Sequence, residues 1–327
     1  MTSASAAVTA ASIPLFSVAT AAADPTDRDA QYELGEKYYK GEGVVQDPLE
    51  AFKWYKLAAD QGDERAQFKI GFCYYNGIAV DPNPEEAVIW YKLAAAQEFE
   101  KAQFNLARCY YYGSGVAQNI EEAIAGFRRL ADRNFVYAQF ALGVLHEGQG
   151  DPREAIEWYR LAADQGHSEA KRRLSELSYA LGTKYYYGKG VTQDPQEAVI
   201  WFRRAADQGL VKAQFNLGHC YHYGIGVDPN PEETVKWYRR AADQGFAEAQ
   251  CNLGYCYDTG EGVPQDPQKA AQLYRLAADQ GFVIAQLNLG RCYDEGEGVP
   301  QNDVEAIKWF RLAAVQGNAE AINLLSK

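Results

Sequence analysis

Two kinds of hydrophobic stripe alternate along the chain. In AQYELGEKYYK, Ala30, Leu34 and Tyr38 recur at i, i+4 and i+8, one face of a helix. Gly41 and Gly43 end that stripe. A second stripe opens at Asp47-Pro48-Leu49-Glu50, which reads as an N-cap acceptor, a proline at the first helical position and a capping-box glutamate. It carries Ala51, Trp54, Tyr55, Ala58 and Ala59 and stops at Gly62. The pattern predicts a helix A, a turn, a helix B and a second turn.

This unit then repeats. Anchored on the Leu of an Ala-x-x-x-Leu-Gly phrase, it returns at Leu34, Ile70, Leu106, Leu142, Leu181, Leu217, Leu253 and Leu289. The spacing is 36 residues throughout, except for 39 between Leu142 and Leu181. Eight units run from about residue 28 to 317, and a ninth begins at Ala321. The N-cap recurs as Asn83, Asn119, Asp151, Asp194, Asn230, Asp266 and Asn302, each expected to contribute about 1 kcal/mol. The Trp returns as Trp90, Trp158, Trp201, Trp237 and Trp309, with Gly126 and Leu273 in the other two units. It is expected to fill the core. The Ala-Ala pair lets a neighbouring helix approach closely. Gly62, Gly166, Gly209, Gly245, Gly281 and Gly317 suit a left-handed turn after helix B, where Glu98 and Asn134 stand in the remaining units.

One such helix pair cannot bury its own apolar face, but stacked pairs can. The predicted fold is all-α, a right-handed α-solenoid of about eight 36-residue helix-turn-helix repeats. Its expected layout is a leader over 1–27, repeats one to four over 28–166, a junction over 167–181, repeats five to eight over 182–317, and a partial capping helix over 318–327. The junction arises because unit four lacks four residues of its inter-helix turn while Ser168 to Leu181 carries seven extra. Seven residues are about two helical turns, which keeps the stacking face in phase. The segment reads either as one long helix A or as a hinge between two four-repeat arrays. Lys171, Arg172 and Arg173 form a basic cluster there.

The consensus A-x-x-x-L-G-x-x-Y-x-x-G-x-G-V-x-x-D-x-x-x-A-x-x-W-Y-x-x-A-A-x-x-G resembles the Sel1-like repeat, a relative of the tetratricopeptide repeat. The resemblance covers about nine tenths of the chain. It implies a protein-interaction adaptor whose concave groove is lined mainly by helix A.

Charge narrows the partners. The net charge of −12 disfavours nucleic acid and anionic membranes. No segment is apolar for long enough to span a bilayer. Residues 1–23 are uncharged and rich in Ala, Ser and Thr; they end in small residues but lack the basic start of an export signal. Cys73, Cys109, Cys220, Cys256 and Cys292 share one repeat position, Cys251 lies apart, and no C-x-x-C occurs. Unpaired cysteines favour a reducing, cytoplasmic setting over export through the weak signal-like leader.

Candidate chemistry is sparse, and no catalytic, cofactor or metal residue is assigned. Ser168-Glu-Ala-Lys171 matches the S-x-x-K nucleophile motif but lacks K-T-G and S-D-N companions. Cysteine-rich proteins of the resembled family bind β-lactams, but they pair their cysteines between helices, a spacing absent here. His219 and His222 lie at i, i+3 and need further ligands, such as Cys256 or Asp258, to hold zinc. The G-x-G phrases join helix to helix and are turns.

What remains is a surface. By the resemblance, positions two and five after each anchor face the groove. They include Tyr39, Phe72, Tyr75, Arg108, Tyr111, Tyr186, His219, His222, Tyr255, Asp258, Arg291 and Asp294. The fifth position passes from Tyr to acidic along the chain. Asn105, Asn216, Asn252 and Asn288 make a further row able to bond a peptide backbone. The expected function is a non-enzymatic scaffold gripping a peptide or partner helix, with a basic or extended segment preferred. The expected state is a monomer or a weak self-associate. The alternatives are an end-to-end self-assembling structural protein, using Ile322, Leu324 and Leu325, and a β-lactam-binding or metal-dependent hydrolase.

Overall fold

The computed structural model describes residues 26–326. The uncharged leader and its signal-like reading lie outside the described residues. The chain divides into two compact units, Met1–Ala138 and Gln139–Lys327. The division falls inside the fourth helix A.

In the first unit the helices A are α1 (Arg28–Lys40), α3 (Glu64–Asn76) and α5 (Glu100–Tyr112), and the helices B are α2 (Pro48–Asp60), α4 (Pro84–Ala96) and α6 (Ile120–Asp132). Helix α7 (Val136–Gly148) crosses the division. The second unit continues with α8 (Pro152–Asp164), α9 (Ser168–Tyr187), α10 (Pro195–Asp207), α11 (Val211–Tyr223) and α12 (Pro231–Ala242). It ends with α13 (Ala247–Thr259), α14 (Pro267–Asp279), α15 (Val283–Glu295), α16 (Asp303–Val315) and α17 (Ala319–Leu325). Among the described residues there is no strand. Residues 168–181 belong to the unbroken 20-residue helix α9.

The caps form as the spacing requires. Asp47 Oδ1 accepts from the Leu49 and Glu50 amides at 3.0 and 3.1 Å, and Asn83, Asn119, Asp194, Asn230 and Asn302 cap their helices B likewise. The turn after helix B is left-handed even where glycine is absent, at Glu98 (φ 65°) and Asn134 (φ 63°).

The Trp row departs from expectation. Trp237, Trp201 and Trp309 are buried, but Trp54, Trp90 and Trp158 are only half-buried. The uniformly buried ring is the next residue: Tyr55, Tyr91, Tyr159, Phe202, Tyr238, Tyr274 and Phe310. Adjacent positions on a helix point about 100° apart. The Tyr or Phe faces helix A of its own repeat, where a glycine makes room; a Cβ on Gly71 would come 2.8 Å from the Tyr91 ring. The Trp faces sideways instead. Trp90 packs against the cluster that joins Ala58 and Ala59 of the preceding repeat to Ile70 of its own.

A row of glutamines, which the hydrophobic pattern does not reveal, stitches the repeats. Gln67 of α3 is buried, donates to the Ala59 carbonyl at 3.4 Å, and accepts from Gln97 at the end of α4 at 2.9 Å. The same side-chain pairing joins Gln61 to Gln31, Gln165 to Gln139, Gln244 to Gln214, Gln280 to Gln250 and Gln316 to Gln286, at 2.6–2.9 Å.

Candidate partner-binding face

In both units, consecutive helices A leave notches in one recurring register. Each notch is bounded by the fifth and sixth residues after one anchor, and by the residues just before and two after the next anchor. In two of them a helix-B tyrosine, Tyr91 or Tyr238, adds to the lining.

In the first unit, Phe72, Tyr75 and Asn76 of α3 meet Asn105 and Arg108 of α5 over the Tyr91 ring. The Arg108 guanidinium donates to Asn105 Oδ1 at 3.2 Å, which fixes its fork at the rim. The preceding step is closed. There Lys69 takes the asparagine position, pairs with Glu36 at 2.5 Å and stands 4.9 Å over the Tyr39 ring. Burial pushes the Glu36 carboxyl up, but the Lys69 and Tyr55 hydrogen bonds outweigh it and hold the group below its ordinary value. Tyr111 is half-buried, edge-on to Tyr112 with centroids 4.9 Å apart.

In the second unit, Tyr186 and Tyr187 of α9 meet Phe215, Asn216 and His219 of α11. Next to it, His222 and Tyr223 meet Asn252 and Tyr255 of α13 and Asn288 of α15, around a cavity of about 420 Å³. Its floor includes Tyr238, whose hydroxyl is buried and meets hydrogen-bond geometry with no group, Asn252 being beside it.

Of the residues singled out from the sequence, three sets are therefore brought together: Phe72, Tyr75 and Arg108; Tyr186 and His219; His222 and Tyr255. The others lie outside these sets. Asp258 accepts from the Tyr274 hydroxyl at 3.4 Å, Arg291 pairs with Glu320, and Asp294 is exposed. The residues missed include Asn76, Tyr187 and Tyr223; the two tyrosines are 61 and 62% exposed at the rims. The readable signal for these tyrosines was an aromatic pair directly before the glycine that ends helix A.

The candidate chemistry does not converge. His219 and His222 border different notches, and the Tyr223 ring lies 4.5 and 4.4 Å from their rings. Burial, then the neighbouring His222, lowers the His219 pKa from its ordinary 6.5. His222 Nδ1 lies 3.2 Å from Glu261. Desolvation pushes the Cys256 thiol up to about 12. Among the described residues no three His, Cys, Asp or Glu side chains gather as a metal site. Ser168 and Lys171 are both exposed on the first turn of α9.

Eight segments, 28–63, 64–99, 100–135, 136–167, 175–210, 211–246, 247–282 and 283–318, match the model of the Sel1 repeat. The chain belongs to the Sel1-repeat family. Its fold is accordingly an α-solenoid of tetratricopeptide-like repeats. Proteins of this family are generally non-catalytic protein-interaction scaffolds. A similar solved structure is c5321, described as a protective antigen of uropathogenic Escherichia coli with an SLR fold. The two are 33% identical with a TM-score of 0.53, over 92% of this chain and 64% of that one. This Sel1 chain thus spans less than two thirds of that relative. A Sel1-repeat protein from Oxalobacter formigenes is 31% identical over 92% of this chain and 86% of its own, with a TM-score of 0.48. No curated protein matches it. No helix among the described residues is long and apolar enough to cross a membrane.

Proposed function

We propose that this Sel1-repeat protein is a non-enzymatic scaffold that holds an extended partner segment along its helices A. The recurring notch carries the reading. Aromatic rims, an asparagine and a variable second residue return in one register in each unit. An extended peptide repeats its own groups at regular intervals, so a periodic receptor suits it. Tyr and Arg bring contact area with few rotors or a bidentate fork, and each Asn carboxamide can both donate to and accept from a peptide bond. Asp258, Asp294 and the net charge of −12 favour a basic segment. Six buried cysteines without disulfides support a reducing, cytoplasmic setting.

The test compares the full chain with Tyr75→Ala/Arg108→Ala/Tyr186→Ala/Tyr255→Ala on an array of extended peptides of graded charge. Basic peptides should bind the wild type and lose at least tenfold in affinity to the variant, with equal melting temperatures. Equal binding by both proteins refutes the helix-A face as the receptor.

A further inference from the structure

A second cavity lies in the first unit, away from the helix-A notches, where helix B of the third repeat lacks its tryptophan. It measures about 270 Å³ and opens over Gly126 of α6. One repeat earlier, the same position holds Trp90 on the cluster that includes Ala59 and Ile70, which Tyr74 also packs against, with Lys56 Nζ 5.1 Å over the ring. Thirty-six residues on, the cavity wall reproduces that set in Ala95, Leu106, Tyr110 and Lys92.

Two further groups have counterparts around Trp237, the cation also around Trp201, while the indole N–H groups of Trp158, Trp201 and Trp309 are buried without a partner. Arg204 and Arg240, three residues after Trp201 and Trp237, lie 5.0 and 4.7 Å over their indoles; Arg129 stands three residues after Gly126 and lines the cavity. Trp237 donates its indole N–H to Glu233, four residues earlier, at 2.8 Å; Glu122 stands four residues before Gly126 and also lines the cavity. In the repeat where Leu273 replaces the tryptophan, the acidic position is Lys269 instead. Leu273 packs on the neighbouring hydrophobic cluster.

The vacancy leaves a mark on the core. Leu106 is half-buried, whereas its counterparts Ile70, Leu217 and Leu289 are fully buried. Everything that holds an indole is therefore present except the indole: an apolar wall, two cations for the ring faces and a carboxylate for the N–H.

We propose that this site receives the tryptophan side chain of a partner protein. An indole buries a large apolar area, gains cation–π attraction from Lys92 and Arg129, and donates one hydrogen bond to Glu122. Phenylalanine lacks the N–H, and tyrosine's hydroxyl projects from a different edge. Trp90 is itself half-exposed at the equivalent place, so a ring seated here is reachable from solvent.

Ligand-observed NMR titration of the full-length protein with N-acetyl-L-tryptophanamide tests the assignment. The phenylalanine analogue and free indole serve as comparisons. Saturable binding of the tryptophan derivative, at least fivefold tighter than the phenylalanine one, is expected. Gly126→Trp fills the site from within and should weaken binding at least tenfold. Because a Cβ at Gly126 would meet Ala107 Cβ at 3.0 Å, the exposed change Lys92→Glu is a second variant that leaves the packing intact, with at least a threefold loss expected. No binding by the wild type, or equal binding by wild type and Lys92→Glu, overturns the site. Free indole binding tenfold tighter than the amide makes the ligand a small molecule and overturns the partner.

Discussion

Gln97 Nε2 donates to Gln67 Oε1 at 2.9 Å, and one repeat later this link is broken. Arg133 takes the place of the second glutamine and turns outward to Glu98 at 2.9 Å, leaving Gln103 Oε1 buried without a partner. The pairing fails again at Ser178, which stands at the equivalent position of α9 and whose hydroxyl is buried and unbonded. A buried polar atom left unpaired costs more than a formed bond returns, so these two repeats are weak links in their units.

Arg133→Gln should therefore stabilise the protein by about 1 kcal/mol, since restoring the Gln103 bond outweighs an exposed ion pair worth little. Gln67→Ala should destabilise by about 1–3 kcal/mol, because it removes the bonds to Gln97 and to the Ala59 carbonyl and empties a packed site. Chemical denaturation with both variants checks the pair. An unstable Arg133→Gln would refute the role of the glutamine row.

Glu98 adopts φ 65°, a conformation that costs a residue with a Cβ about 1 kcal/mol or more. Its carboxylate meets Arg133 only on the exposed surface. Glu98→Gly should raise stability by about 0.5–1 kcal/mol, whereas Gly62→Glu at the matching turn should lower it by a similar amount. Opposite shifts in thermal melts are the expected result.

Acid should weaken the fold in two steps. Burial, reinforced by His222, holds folded His219 below its ordinary 6.5. The unfolded chain binds that proton first, so stability falls as pH drops through 6.5 towards the folded value. Glu36 is held below its ordinary 4.5 in the folded state. Its contribution is present above 4.5 and is lost as pH falls through the lower folded value. His219→Gln should flatten the first step and Glu36→Gln the second in melts from pH 8 to 3.

The cysteines should be silent in the native protein. Burial pushes Cys73 and Cys109 up to about 11, and Cys220, Cys251, Cys256 and Cys292 up to about 12. At pH 8 a thiol of pKa 11 is ionised about once in a thousand. A thiol-reactive dye should label none of them in buffer and all six in guanidinium. Rapid native labelling would show that a repeat opens locally.

By itself the sequence determined the architecture. Local signals suffice for it: a 36-residue period, Asp or Asn before each helix B, glycine after most helices. They set helix ends and leave apolar stripes that only stacking can cover. The left-handed turns at Glu98 and Asn134 were legible for the same reason. Tertiary structure alone decided which ring of each Trp-aromatic pair is innermost, because that depends on a glycine in a different helix. It also decided that Gln67 and Gln97 meet, that His219 and His222 part around Tyr223, and that removing one indole at Gly126 leaves a furnished cavity. Those relationships join side chains 30 or more residues apart, or turn on the direction of a single ring. A one-dimensional pattern carries neither distance nor direction until neighbouring repeats pack.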